Sequence, residues 1–137
     1  MPNAGVNRLG LTQGQCMALV GTGIALWAVA AGLLRAIAPM GALEGSARLI
    51  TYTLVIPGTF PFVVLTRKLI RLRQSQTAVG IAIVTGTALL IDGIVVGWFP
   101  QIYSEDVQHT ANCAAAILWG AGMALVLGFM MNKGDEQ

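Results

Sequence analysis

Residues 77–99 read TAVGIAIVTGTALLIDGIVVGWF, a 23-residue run with one charged side chain, Asp92. A helix crosses the hydrocarbon core of a bilayer with roughly 20 predominantly apolar residues, so this run is long enough to span it. A carboxylate inside such a run costs roughly 2.5–3.5 kcal/mol on insertion scales. The sequence therefore calls for something that meets Asp92.

Three more runs flank this one: residues 16–38, 49–66 and 110–131. The 137-residue chain is 55% hydrophobic and 10% charged, against about 25% charged in a soluble domain. Apolar blocks of this length cannot all be buried in so small a core, so lipid is the expected solvent. The sequence predicts an all-α, polytopic membrane protein: one domain over residues 1–137, built as an antiparallel four-helix bundle. A net charge of +2 is too weak to argue for nucleic acid.

Residues 16–38 exceed the 7–15 apolar residues of a signal peptide and are expected to stay as a spanning helix. Pro39 closes that helix. Residues 49–66 carry Pro57 and Pro61, and read as a kinked spanning helix in preference to a re-entrant segment. Each proline removes an amide donor, which in most membrane helices only bends the helix. Residues 67–76 form a basic loop with Arg67, Lys68, Arg71 and Arg73, a topology signal and a contact for anionic lipid heads. Pro100 ends the third helix. Four crossings put Arg8, Arg67, Lys68, Arg71, Arg73 and Lys133 on one side and Arg35 and Arg48 on the other. By the positive-inside rule both termini are expected on the cytoplasmic side of the membrane.

Small residues let helix backbones approach in lipid. The expected packing stripes are Ala18, Gly21, Ala25, Ala28 and Gly32 on the first helix and Asn112, Ala116, Gly120, Ala124 and Gly128 on the fourth. Ala82, Gly86, Gly93 and Gly97 are the third helix's candidates. Gly93, Gly97 and Gly128 are candidates for contacts with another chain. Trp27 reads as packing, while Tyr52, Trp98 and Tyr103 suit an interfacial belt. Cys16 and Cys113 fall at opposite membrane faces, too far apart for a disulfide. A single histidine, His109, makes a metal site improbable, and no cofactor is expected.

Arg35, Asp92, Arg48, Asn112 and His109 gather toward the outer leaflet. Arg35 and Asp92 differ in depth by about 6 Å at 1.5 Å per residue, within an arginine's reach. The favoured expectation is an Arg35–Asp92 ion pair that sets helix packing. The alternatives are an ion, proton or small polar ligand site at Asp92, and Arg35 snorkelling to lipid phosphate. A carboxylate held ionised by Arg35 is less suited to carrying protons.

Ile91-Asp92-Gly93, Trp98-Phe99-Pro100-Gln101-Ile102-Tyr103 and Ala116-Ile117-Leu118-Trp119-Gly120 resemble a family of small four-helix bacterial membrane proteins classed as a domain of unknown function. That resemblance implies four crossings and a marked position at Asp92, and no reaction, ligand or partner. Small multidrug-resistance exporters are similar in size only: the first helix here has Arg35 and lacks their membrane glutamate. No nucleophile has a base nearby, so an enzyme is not expected. The preferred expectation is an accessory or structural subunit docked to a larger, energy-transducing membrane complex or to copies of itself. The alternative is a small oligomeric transporter or channel that uses Asp92.

Overall fold

The structure is a computed structural model, and it describes residues 9–134. Four long helices account for most of them: α1 (Gln13–Ile37), α2 (Gly45–Ile70), α3 (Thr77–Trp98) and α4 (Val107–Met130). No strand is present among the described residues. All four helices are long and apolar enough to cross a membrane, by length and composition. Arg8, Asp135 and Glu136 lie outside the described residues.

Local chemistry sets the helix ends. Thr12 caps α1: its hydroxyl accepts from the Gln15 amide at 3.1 Å, and the Gln15 side chain accepts from the Thr12 amide at 3.0 Å. This reciprocal box satisfies two donors that a helix start leaves orphaned. Asp106 caps α4 by accepting from the His109 amide at 2.9 Å. Pro39 and Pro100 sit in short 3₁₀ turns that follow α1 and α3. At the end of α2, Arg71 adopts a left-handed conformation (φ 58°), and the amides of Arg71 and Leu72 donate back to Lys68 and Arg67. That closure satisfies the last carbonyls of α2. It also turns Leu72 inward, where it is buried.

The basic stretch is therefore only partly a loop, because Arg67 and Lys68 form the last turn of α2. The helix runs through Pro57 and Pro61 without a break, which removes the re-entrant reading. Both prolines face outward.

α3 is the centre. Thr77, Gly80, Ile81, Val84, Thr85, Ala88, Asp92 and Val95 are buried along it, a repeat of three and four that keeps one broad face covered. α1 and α4 pack against α3, and α2 leans mainly on α4 with little contact to α1 or α3. α2 accordingly buries only Val63 and Thr66. Outward faces are apolar on every helix: Val29 and Leu33, Leu54 and Leu69, Leu90 and Ile94, Leu118 and Phe129 are all exposed. So large an exposed apolar surface suits hydrocarbon and not water.

The packing stripe of α1 requires a correction. Gly21, Ala25, Ala28 and Gly32 are exposed. The close approach is made by Gly23, where an added Cβ would lie 2.6 Å from the Val84 carbonyl oxygen and 2.7 Å from Thr87 Cβ. On α4, Asn112, Ala124 and Gly128 are buried and Ala116 and Gly120 half-buried. A Cβ at Gly128 would lie 2.9 Å from Ile81 Cβ, so this glycine serves an intrachain contact. A Cβ added at Gly93 or Gly97 on α3 would meet nothing within 4 Å, and Ala82 is exposed while Gly86 is half-buried.

These distances predict opposite responses on one helix. Gly23→Ala is expected to destabilise the protein by about 1–3 kcal/mol through overpacking, whereas Gly21→Ala leaves it unchanged or slightly more stable. Thermal unfolding in mild detergent distinguishes the two; equal midpoints would refute this α1–α3 packing.

Candidate functional site

Two sets of polar contacts pin the helices together at their ends. At the basic end the Gln15 amide group donates to the carbonyls of Ile70 and Arg71, and the Gln76 amide group to that of Gly10. The Asn132 side chain accepts from the Ala78 amide at 3.0 Å, and the Lys133 amide donates to the Gln74 carbonyl at 3.1 Å. The start of α1, the end of α2, the start of α3 and the end of α4 thus meet there. Arg67 is half-buried; Lys68, Arg71 and Arg73 are exposed around that end.

Asp92 lies at the other end of the bundle and is buried. Its Oδ1 accepts a hydrogen bond from the Tyr103 hydroxyl. Tyr103 is only 1% exposed, not the interfacial residue its loop position suggests. The turn after Pro100, in which the Tyr103 amide donates to the Pro100 carbonyl at 3.0 Å, folds the chain back so that the ring lies beside α3. The indole of Trp27 is the third member: it stands beside both the carboxylate and the phenol. Its Nε1 is closed off from solvent and lies toward these two groups.

The expected Arg35–Asp92 ion pair is absent. The Arg35 guanidinium donates instead to the carbonyl oxygens of Gln101 and Ile102, at 2.6 and 2.7 Å. Those carbonyls end the turn after α3 and have no helical donor to meet, so an exposed guanidinium in the last turn of α1 satisfies them without leaving the surface. Arg48 and Asn112 do meet, at 3.1 Å, but away from Asp92. Arg48 also donates to the Leu43 carbonyl at 2.7 Å, and the Gln108 amide group donates to Asn112 at 3.2 Å. His109 pairs with Glu44 at 3.2 Å. Among the described residues no cation forms an ion pair with Asp92. Cys16 and Cys113 form no disulfide among the described residues.

Because α2 stands off from α1, a cleft of about 380 Å³ opens between them, floored by α3 and α4. Trp27, Tyr52, Gly58, Thr85, Asp92 and Gly120 are among its walls, and most of the remaining lining is apolar. Tyr52 is fixed by stacking on Trp119, with ring centroids 5.4 Å apart, while the Trp119 indole donates to the Tyr52 carbonyl at 3.0 Å. Thr85 is 3% exposed, and its hydroxyl has no hydrogen-bond partner. The Thr77 hydroxyl at the start of α3 is likewise buried without a partner, whereas four other helix threonines satisfy themselves. Thr22, Thr53, Thr59 and Thr87 each donate to the carbonyl four residues back, at 2.6–2.8 Å. Thr85 does not, so a buried hydroxyl is left on the cleft wall.

Tyr103, Thr85 and the hydrogen-bonding side of Trp27 were not legible as site residues. The one available signal was Pro100, whose turn makes a loop aromatic able to fold back onto the helix before it.

No family model, curated protein or solved structure matches the chain. What stands of the family resemblance is its coarse content, a small protein of four apolar helices.

Burial, and after it the hydrogen bond to Asp92, raises the Tyr103 phenol above the ordinary tyrosine range. A group whose pKa is higher folded than unfolded adds stability below its unfolded value, and that stability is lost as pH rises through the folded value. Stability should therefore fall as pH climbs past about 10, and Tyr103→Phe should lack this component. In a Tyr52→Phe background the remaining phenol should show phenolate absorbance only well above pH 10; ordinary titration would refute the buried Tyr103–Asp92 bond.

Proposed function

We propose that this is a non-catalytic, multi-pass integral membrane protein that works by binding, as an accessory subunit docked to a larger, energy-transducing membrane complex. Its helices alternate in direction across the bilayer, an arrangement supported by the end-to-end contacts at the two poles of the bundle. Arg67, Lys68, Arg71, Arg73 and Lys133 then share one face, with Arg35 and Arg48 on the other. The positive-inside rule makes the first face cytoplasmic, and with it both termini, in a bacterial inner membrane. The same basic face contacts anionic lipid heads.

The observation that carries the accessory role is the outward stripe of α1. Gly21, Ala25, Ala28 and Gly32 are exposed, and a Cβ added at Gly21 or Gly32 would meet nothing within 4 Å. A face this small is wasted against lipid and useful against another helix. A tagged copy purified in mild detergent should bring a larger membrane complex with it. Gly21→Ile together with Gly32→Ile should release that complex while leaving the unfolding midpoint unchanged. Retention by the double variant, or a wild type that runs only as a monomer, would overturn the reading. A wild type that runs only with copies of itself would replace the complex with a homo-oligomer.

A second reading, a small transporter working at Asp92, is favoured by the cleft. It places the one membrane-depth carboxylate on the wall of a cavity within the range of small-molecule sites, about 300–1,000 Å³.

A further inference from the structure

We infer that the α1–α2 cleft binds a lipophilic monocation, an amine in its ammonium form or a quaternary ammonium, whose charge pairs with Asp92. The inference rests on the cleft reading above and names the ligand class. Three observations converge on it. The first is charge complementarity. Asp92 is buried on the cleft wall, and Tyr103 supplies its one completed hydrogen bond. A carboxylate in apolar surroundings needs a counter-charge to be ionised at tolerable cost.

The second is that the described basic side chains at that end are engaged. Arg35 is held by Gln101 and Ile102, Arg48 by Leu43 and Asn112, and His109 by Glu44. The groups that face Asp92 are Trp27 from α1 and Tyr103 from the α3–α4 connection, with Cys113 of α4 next to Tyr103 and Tyr52 of α2 across the cleft. None is a cation. Among the described residues no counter-ion is in place, so the site is open to one supplied from outside.

The third is the polar lining of the same walls. The buried Thr85 hydroxyl has no hydrogen-bond partner and can accept from the N–H of an amine in its ammonium form. The Trp27 N–H stands beside the Asp92 carboxyl group and can donate to it. Aromatic faces at Trp27 and Tyr52 add attraction for a positive charge, and the apolar remainder of the cleft accommodates the hydrocarbon part of the ligand.

The proton balance is simple. The cation pairs only with the ionised carboxylate, so a site protonated at Asp92 releases that proton to the aqueous phase as the cation enters. Cation and proton therefore compete for a single carboxylate, and binding weakens as pH falls.

The full chain in nanodiscs provides the test, with radiolabelled benzyltrimethylammonium as probe and protein-free nanodiscs as background. This probe carries a fixed charge, so its own titration is excluded. Its neutral isostere, neopentylbenzene, is the competitor. Saturable binding of the cation is expected, at least tenfold weaker in Asp92→Asn, weaker at low pH in the wild type, and poorly displaced by neopentylbenzene. Should Asp92→Asn fail to fold, the wild-type pH dependence and the competition still decide the matter. Equal displacement by neopentylbenzene, or pH-independent binding, would overturn the cation while leaving a cleft for neutral lipophiles. Saturable binding of neither probe would remove both the inference and the cleft reading, and leave the cavity to water or lipid chains.

Discussion

Everything buried between these helices has to be answered from within the protein, because hydrocarbon offers no hydrogen bonds. Tyr103 and Asp92 are the clearest case. A carboxylate on the central helix α3 is met by a phenol that the following connection folds back onto it. This bond joins the α3–α4 connection to the most buried helix of the bundle. Around it gathers a cluster of small and apolar groups, Ala31, Val95 and Cys113 among them. Remove the phenol and the carboxyl group keeps only the Trp27 indole beside it; a buried polar group that loses its partner costs about 1–3 kcal/mol. The position of α4 relative to α3 depends on that constraint as much as on side-chain packing.

Four apolar helices could be read directly from run lengths and from the prolines that stop them. Their facing directions could not. Each helix is apolar on nearly all sides, so the usual contrast between a wet and a dry face is missing. The first helix then offers two arrangements of small residues. Gly21, Ala25, Ala28 and Gly32 form the longer stripe, yet Gly23, outside it, makes the contact with Val84 and Thr87. On α4 one long stripe includes Ala124 and Gly128, which are buried. A small-residue pattern shows where a helix can approach another, and it takes a neighbour's shape to decide which face does.

The polar site was half legible for a related reason. Asp92 stands out in any apolar run, and Arg35 lies at a similar depth, so pairing them was the economical expectation. It failed because depth along a helix says nothing about competing acceptors. The carbonyls of Gln101 and Ile102 come free only when Pro100 ends α3, and they sit where Arg35 can stay exposed. A guanidinium that meets two carbonyls at the surface avoids the desolvation that a buried ion pair demands. Arg48 makes the same choice with Leu43 and Asn112.

That competition is what leaves the cleft chemically open. Had Arg35 turned inward, Asp92 would be neutralised within the chain and the cavity would be an apolar gap between α1 and α2. As it is, α2 leans on α4 and stands off from α1, and small residues on the walls, Gly58 and Gly120, leave the space unfilled. Thr85 meanwhile brings to that space a buried hydroxyl with nothing to bond. Native interiors rarely keep such a group without a partner. An acid with no counter-ion among the described residues and an idle hydroxyl thus lie on the walls of one cavity, and those are the features an occupant of opposite charge would need.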